Sequence, residues 1–162
     1  MRMTKWKEPP IVKVYEALTA IGNGSVKLVS EGRAQVGSSI GTHTYDVYFD
    51  ISRKAIIADD NGSRWQGYLG YPAIAVLMLK GVLPHSERLA RALAGVKWAV
   101  LNKKFKRDYR KSIEEAEKAA ARHGVSPSEL KDFAESVISA IRSAGLAKLG
   151  GYDKGGKIAL PP

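Results

Sequence analysis

The run Ala73-Ile74-Ala75-Val76-Leu77-Met78-Leu79 restricts what this chain can fold into more than any other stretch. A helix built from it has no polar side to turn to water, so it must be covered all round. With Pro72 in front the run is eight residues long, against the roughly 20 needed to span a bilayer, which marks it as a core helix and makes a membrane an unexpected partner. Pro72 suits the first helical turn, where its missing N–H is no loss, and Gly81 supplies a stop.

Directly ahead lies Asn61-Gly62-Ser63-Arg64-Trp65-Gln66-Gly67-Tyr68-Leu69-Gly70-Tyr71, a mixture of glycines, amides, one arginine and three aromatic rings. Whatever buries the apolar helix must hold this preface at its mouth, against a rigid support. Asp59-Asp60-Asn61-Gly62 suits an Asx-type turn leading into it.

The rest of the chain supplies the cover. Ile11, Val14, Leu18 and Ile21 recur at helical spacing between Pro10 and Gly22-Asn23-Gly24. From Ser25 to Asp59 the period drops to two, with strands expected at Val26 to Val29, Arg33 to Gly37, Thr44 to Phe49 and Lys54 to Ala58. Links this short imply an antiparallel meander, because a parallel crossover needs about a dozen residues. Ser86 caps a helix over Glu87 to Leu93. Trp98, Leu101, Phe105 and Tyr109 predict one helical stripe through residues 97–111. Ile113, Ala116 and Ala120 continue in helical register, and Ser126-Pro127-Ser128-Glu129 is a capping-box start for a helix burying Leu130, Phe133, Val137 and Ile141. The expected fold class is α+β, a four-stranded antiparallel meander packed against helices, with a helical C-terminal third. Residues 1–145 read as one domain, comprising a basic segment 97–111 and a helical extension 112–145. Residues 146–162 read as a flexible basic tail carrying Lys148, Lys154 and Lys157.

Charge narrows the function. The net charge is +10, and residues 97–111 hold seven basic groups against the single acid Asp108, whereas residues 112–162 balance seven with seven. So local an excess attracts a polyanion, through screened Coulomb force and release of condensed counterions. Catalytic and metal chemistry find little support. There is no cysteine, the three histidines His43, His85 and His123 stand far apart, and the adjacent carboxylates Asp59 and Asp60 point to opposite sides of an extended chain. The expectation is no enzyme, no metal and no cofactor. The N-terminus leads into a periodic rather than a continuous apolar segment, so no secretory leader is expected and a cytoplasmic location is.

Single-stranded nucleic acid fits these residues best, because unpaired bases stack on aromatic rings while Arg and Lys hold the backbone. Trp65, Tyr68, Tyr71 and Tyr48 are the stacking candidates; Arg64, Arg33, Lys103, Lys104, Lys106, Arg107 and Arg110 are the phosphate candidates. The structural alternative is that the rings seal the junction between sheet and apolar helix. Duplex reading through the helix that starts at Ser126 is disfavoured by Glu129, Asp132 and Glu135 near its N-terminus.

The run from Asp60 through Pro72 to Met78 resembles the signature of the archaeal single-stranded DNA-binding proteins called ThermoDBP and their relatives. The resemblance extends from the first helix to about Lys111. It implies a thermophilic, archaeal setting and a four-stranded sheet packed on helices, with a hydrophobic cleft edged by basic side chains that holds single strands. Some members of that family pair through a C-terminal leucine-zipper-like helix, from which this chain departs, since Glu114 to Arg122 is alanine-rich and Ser126-Pro127 interrupts the run. The expected function is sequence-tolerant binding of single-stranded DNA. RNA binding and a helical protein-interaction module built on Leu130, Phe133 and Val137 are the alternatives, and a homodimer through the C-terminal helices stays open.

Overall fold

The computed structural model describes residues 3–162. Helix α1, Val12–Gly22, is the axis of the packing. Val12, Val14, Tyr15, Ala17, Leu18 and Thr19 are all buried, while Ile11 and Ile21 are only partly so, giving a broader apolar girth than the predicted stripe. The reason is that α1 is flanked on several sides, by α2 (Tyr71–Leu79), α3 (Glu87–Ala92), α5 (Tyr109–Ala121) and α6 (Pro127–Ala144). Helix α2 is the all-apolar run, and Pro72 through Met78 are buried, as a helix without a polar face demands.

Strands β1 (Val26–Ser30), β2 (Arg33–Gly37), β3 (Thr44–Asp50) and β4 (Ala55–Ala58) form the antiparallel meander in that order. Along β3 the pleat sends Val47 and Phe49 into the core and Asp46 and Tyr48 to the opposite face. The sheet is mixed rather than wholly antiparallel, because a fifth strand, β5 (Ala147–Lys148), adds parallel to β4. The segment after Gly145, read from its composition as a flexible tail, therefore carries ordered elements: β5, then a small hairpin of β6 (Gly151–Tyr152) and β7 (Ile158–Ala159). Leu146 and Ala147 are buried, so this segment is tied down by the apolar pair that precedes its glycines.

The basic segment departs most from expectation. Instead of one helix over residues 97–111, α4 (Trp98–Lys104) ends at Phe105 and α5 begins at Tyr109. Between them Lys106 and Arg107 take left-handed conformations, with φ of 53° and 65°, and the Arg107 N–H donates to Asn102 O at 2.8 Å. Such a helix end usually falls on glycine; two cations there cost about 1–2 kcal/mol each. The break sends the two ends of the predicted stripe apart. Trp98 is buried, its Nε1 donating to Thr19 Oγ1 at 2.8 Å, whereas Tyr109 is half-exposed.

At the C-terminal third, Ser126 Oγ accepts the Glu129 N–H as predicted. Leu130, Ala134, Val137, Ile138 and Ile141 are buried in the protein's own core and Phe133 is partly covered, so α6 spends its apolar stripe within the chain. Trp6 closes the other end of the core: its Nε1 donates to Ile56 O at 2.9 Å, and its backbone N–H to Leu146 O at 3.1 Å. No helix among the described residues is long and apolar enough to cross a membrane.

The α1–α3 contact is close enough to depend on one missing side chain. A Cβ on Gly22 would lie 2.0 Å from the Ala90 carbonyl oxygen, with no flexible group to yield. Gly22→Ala is expected to lower the unfolding free energy by about 1–3 kcal/mol, the usual range for overpacking, as measured by urea denaturation.

Candidate nucleic-acid interface

The link between β4 and α2 turns through a π-helical turn, Gly62–Gln66, closed by Gly67 at φ 75°. The turn is built on Asp60, whose carboxylate accepts the Ser63 hydroxyl at 2.6 Å and the Ser63 N–H at 3.2 Å. Gly62 and Gly70 serve close approach. A Cβ on the first would lie 2.4 Å from the Tyr68 ring, and one on the second 2.1 Å from Asp60 Oδ2. Tyr68 is further held by the N-terminal segment, since Lys7 N–H donates to Gly67 O and Leu69 N–H to Lys7 O. The result is a turn whose inner side is buried at Ser63 and whose outer side presents Trp65, 60% exposed.

Beside this turn lies an open cleft of about 590 Å³, lined by Trp65, Tyr68, Tyr109, Lys13, Asn102 and Arg107, with Pro10, Asn61, Gly62 and Gln66 completing it. A second depression shares Asn102 and Arg107 and adds Ala99, Lys103 and Lys106. Together they form a track from aromatic rings to unpaired cations. Lys97, Lys103, Lys104, Lys106, Arg107, Arg110 and Lys111 are all exposed, and among the described residues none of them enters an ion pair.

The floor of the cleft is organised differently. Lys13 Nζ lies 2.8 Å from Glu16 Oε2 and 5.7 Å from the Tyr109 ring centroid. Burial opposes the Lys13 charge, but the Glu16 carboxylate outweighs it and holds the ammonium protonated above the ordinary lysine range. Glu16 is buried, and that burial pushes its carboxyl up despite Lys13. Asn102 Nδ2 reaches Glu16 Oε1 at 3.5 Å. Since a carboxylate only accepts, this contact turns the amide nitrogen of Asn102 inward.

The sequence candidates separate into groups. Trp65, Tyr68, Arg107, Lys103 and Lys106 line the track. Arg64 stands at its edge, its Cζ 5.5 Å from the Trp65 ring centroid, with Nη2 donating to Asn61 Oδ1 and Nη1 to Gly156 O. Lys104 and Arg110 are exposed but outside the lining. Tyr71 does not reach the cleft: as the first residue of α2 it faces the sheet, donates its hydroxyl to Gly37 O at 3.2 Å and meets Tyr45 edge-on at 6.0 Å. Burial accordingly raises its phenol's pKa. Tyr48 and Arg33 lie on the sheet's outward face, away from α1. There the Arg33 guanidinium sits 5.4 Å from the Tyr48 ring and pairs with Asp46 at 3.0 Å, so its charge is already compensated.

Lys13, Asn102 and Tyr109 are cleft residues that sequence reasoning did not select. Lys13 and Glu16 did carry a signal, a cation and an acid three apart inside an otherwise apolar helix. Asp59 and Asp60 face different partners, the Asp46 N–H at 2.9 Å and Ser63 respectively, which accounts for both carboxylates structurally. Among the described residues no group of three or more His, Asp or Glu side chains is placed to hold a metal ion.

A family model described as Uncharacterised conserved protein UCP014422 matches residues 6–147. The chain belongs to this family. The matched residues of UCP014422 include the π-turn, α1, the sheet meander and the whole lining of the cleft. No curated protein and no solved structure matches the chain.

Burial pushes the Asp59 carboxyl above its ordinary value near 3.8. A raised carboxyl holds its proton to higher pH when folded, so its contribution to stability is full below the unfolded value and is lost as pH rises through the folded one. Asp59→Asn keeps an acceptor for the Asp46 N–H and removes this titration. Its melting temperature relative to wild type is expected to climb as pH is raised from 4 to 7, in thermal melts across that range; a constant difference would contradict the assignment.

Proposed function

We propose that this protein binds single-stranded nucleic acid in a sequence-tolerant manner, with single-stranded DNA as the principal ligand. One observation carries the reading: an exposed tryptophan, two tyrosines and an unpaired arginine line the same cleft, which runs on into further unpaired lysines. Trp65 and Tyr68 take bases by stacking, Tyr109 adds a third ring, and Arg107, Lys103 and Lys106 hold phosphates along the track. The resemblance of the Asp60 to Met78 stretch to ThermoDBP-type proteins supports the same ligand. Lys13 has a distinct role here, because its charge is matched by Glu16; it donates a hydrogen bond at the floor rather than neutralising a phosphate.

Lys106 and Arg107 add a second line of support. Their left-handed backbone costs stability that glycine would recover, and strain of this kind clusters at functional sites. Arg107→Gly should therefore raise unfolding free energy by about 1 kcal/mol and yet weaken binding, with the slope of log affinity against log salt reduced by about one. Chemical denaturation and titration of the same preparation check both halves, and a stable variant with unchanged binding removes Arg107 from the site.

The decisive experiment is a fluorescence titration of the wild type, Trp65→Ala and Lys103→Ala against matched single-stranded DNA, single-stranded RNA and duplex DNA at two salt concentrations. Trp65→Ala is expected to lose about 1–3 kcal/mol with an unaltered salt slope, as for loss of one stacked base. Lys103→Ala is expected to weaken all sequences alike and flatten the slope. Duplex binding as tight as single-strand binding would overturn the proposal, and tighter RNA binding would reassign the ligand.

A further inference from the structure

The β6–β7 hairpin lies outside residues 6–147, the part shared with the family model, yet it reaches the mouth of the cleft. Arg64 Nη1 donates to Gly156 O at 3.3 Å while Nη2 donates to Asn61 Oδ1 at 3.0 Å, so two neutral acceptors hold the guanidinium beside the Trp65 ring. Gly156 is buried at φ 81°, and a Cβ there would lie 3.0 Å from Trp65 Cζ2 and 3.1 Å from both Trp65 Cη2 and Arg64 Nη1. The hairpin backbone is thus in contact with the outer edge of the indole.

The hairpin is stiff for its length. Asp153 Oδ1 accepts the N–H groups of Gly155 at 2.8 Å and Lys157 at 3.0 Å, and the Asp153 and Lys157 backbones are joined at 2.9 Å. The Tyr152 hydroxyl donates to Ala58 O, which ties the hairpin to β4. A support anchored at its base and braced at its tip can hold a side chain in one orientation.

We propose, resting on the single-strand reading above, that this hairpin is a positioning element of the binding site. It fixes the Trp65 indole as a preformed platform for one base, and Gly156 is the positioning residue. With Arg64 beside the ring and the Gly156 backbone against its edge, the indole is 60% exposed yet constrained, and it lines the cleft. An exposed indole free to change rotamer would lose that freedom on stacking; ordering it beforehand gains about two- to tenfold in affinity. The residues that supply this gain belong to a segment beyond the family match.

The chain carries a convenient reporter, because Trp6 and Trp98 are 9% and 1% exposed and acrylamide-quenchable emission comes from Trp65. Gly156→Ala crowds the ring, and Tyr152→Phe releases the hairpin's anchor without touching it. Both variants are expected to increase quenching, to lower the time-resolved anisotropy of the quenchable component and to weaken binding of a thymidine oligonucleotide about two- to tenfold. On a Trp65→Ala background the same substitutions should leave affinity unchanged. Unaltered anisotropy in both variants, or an equal loss of affinity on the Trp65→Ala background, overturns the hairpin's role alone. Absence of single-strand binding by the wild type overturns the proposed function and this role with it.

Discussion

The carboxylate of Asp60, 6% exposed, holds the candidate site in shape. Burial raises its proton affinity, and the hydroxyl and N–H of Ser63 work against that rise by bonding to the charged form. Its own carbonyl accepts the Arg64 N–H, and Gly70 leaves the space its oxygens occupy. These contacts wind the chain through a π-turn just before α2, and the winding is what puts Ser63 inside and Trp65 outside within two residues. A large aromatic ring exposed on a surface ordinarily rotates or folds away. Here the turn beneath it is anchored by a buried carboxyl group and followed at once by α2, buried from Pro72 to Met78.

The protein uses its cations in two ways. Arg33, Arg88 and Arg142 pair with Asp46, Glu129 and Glu8 across elements of the fold, and Lys13 pairs with Glu16 within α1. The three pairs to arginine are exposed or half-exposed and add at most about 1 kcal/mol apiece, and each of the four removes a positive charge from the outward field. The cations of residues 97–111 keep theirs. They do so around a helix break that bends the segment over the cleft instead of letting it run straight, so their mutual repulsion is spread over two helices and a left-handed corner.

The cleft is assembled from parts distant in the chain: the start of α1, the turn before α2, and the α4–α5 corner. Their meeting depends on α1, which contacts most of the other helices and so fixes where each end emerges. Lys13 illustrates the consequence. It belongs to a largely buried helix, yet it opens into the cleft, whose lining it shares with Tyr68 and Tyr109 from later in the chain.

Much of the architecture was legible in the chain alone. Seven apolar residues in a row had to become a buried helix, period-two alternation with short links had to become an antiparallel meander, and Ser126-Pro127 with Glu129 had to open a helix, because each of these follows from backbone geometry within a few residues. The same local logic kept the cations of residues 97–111 in solvent. It could not divide the rings among sites. Tyr68 went to the cleft, Tyr71 to the Gly37 carbonyl and Tyr48 to Arg33 on the outward face, although all three look alike in a periodicity argument. Nor could it bring Lys13, Asn102 and Tyr109 to one cleft, break the basic helix at Lys106 and Arg107, or fold residues 151–159 back onto Trp65. Periodicity determines whether a side chain is turned toward the interior; which neighbour it meets there is decided by how distant elements pack, and only the closed tertiary structure contains that information.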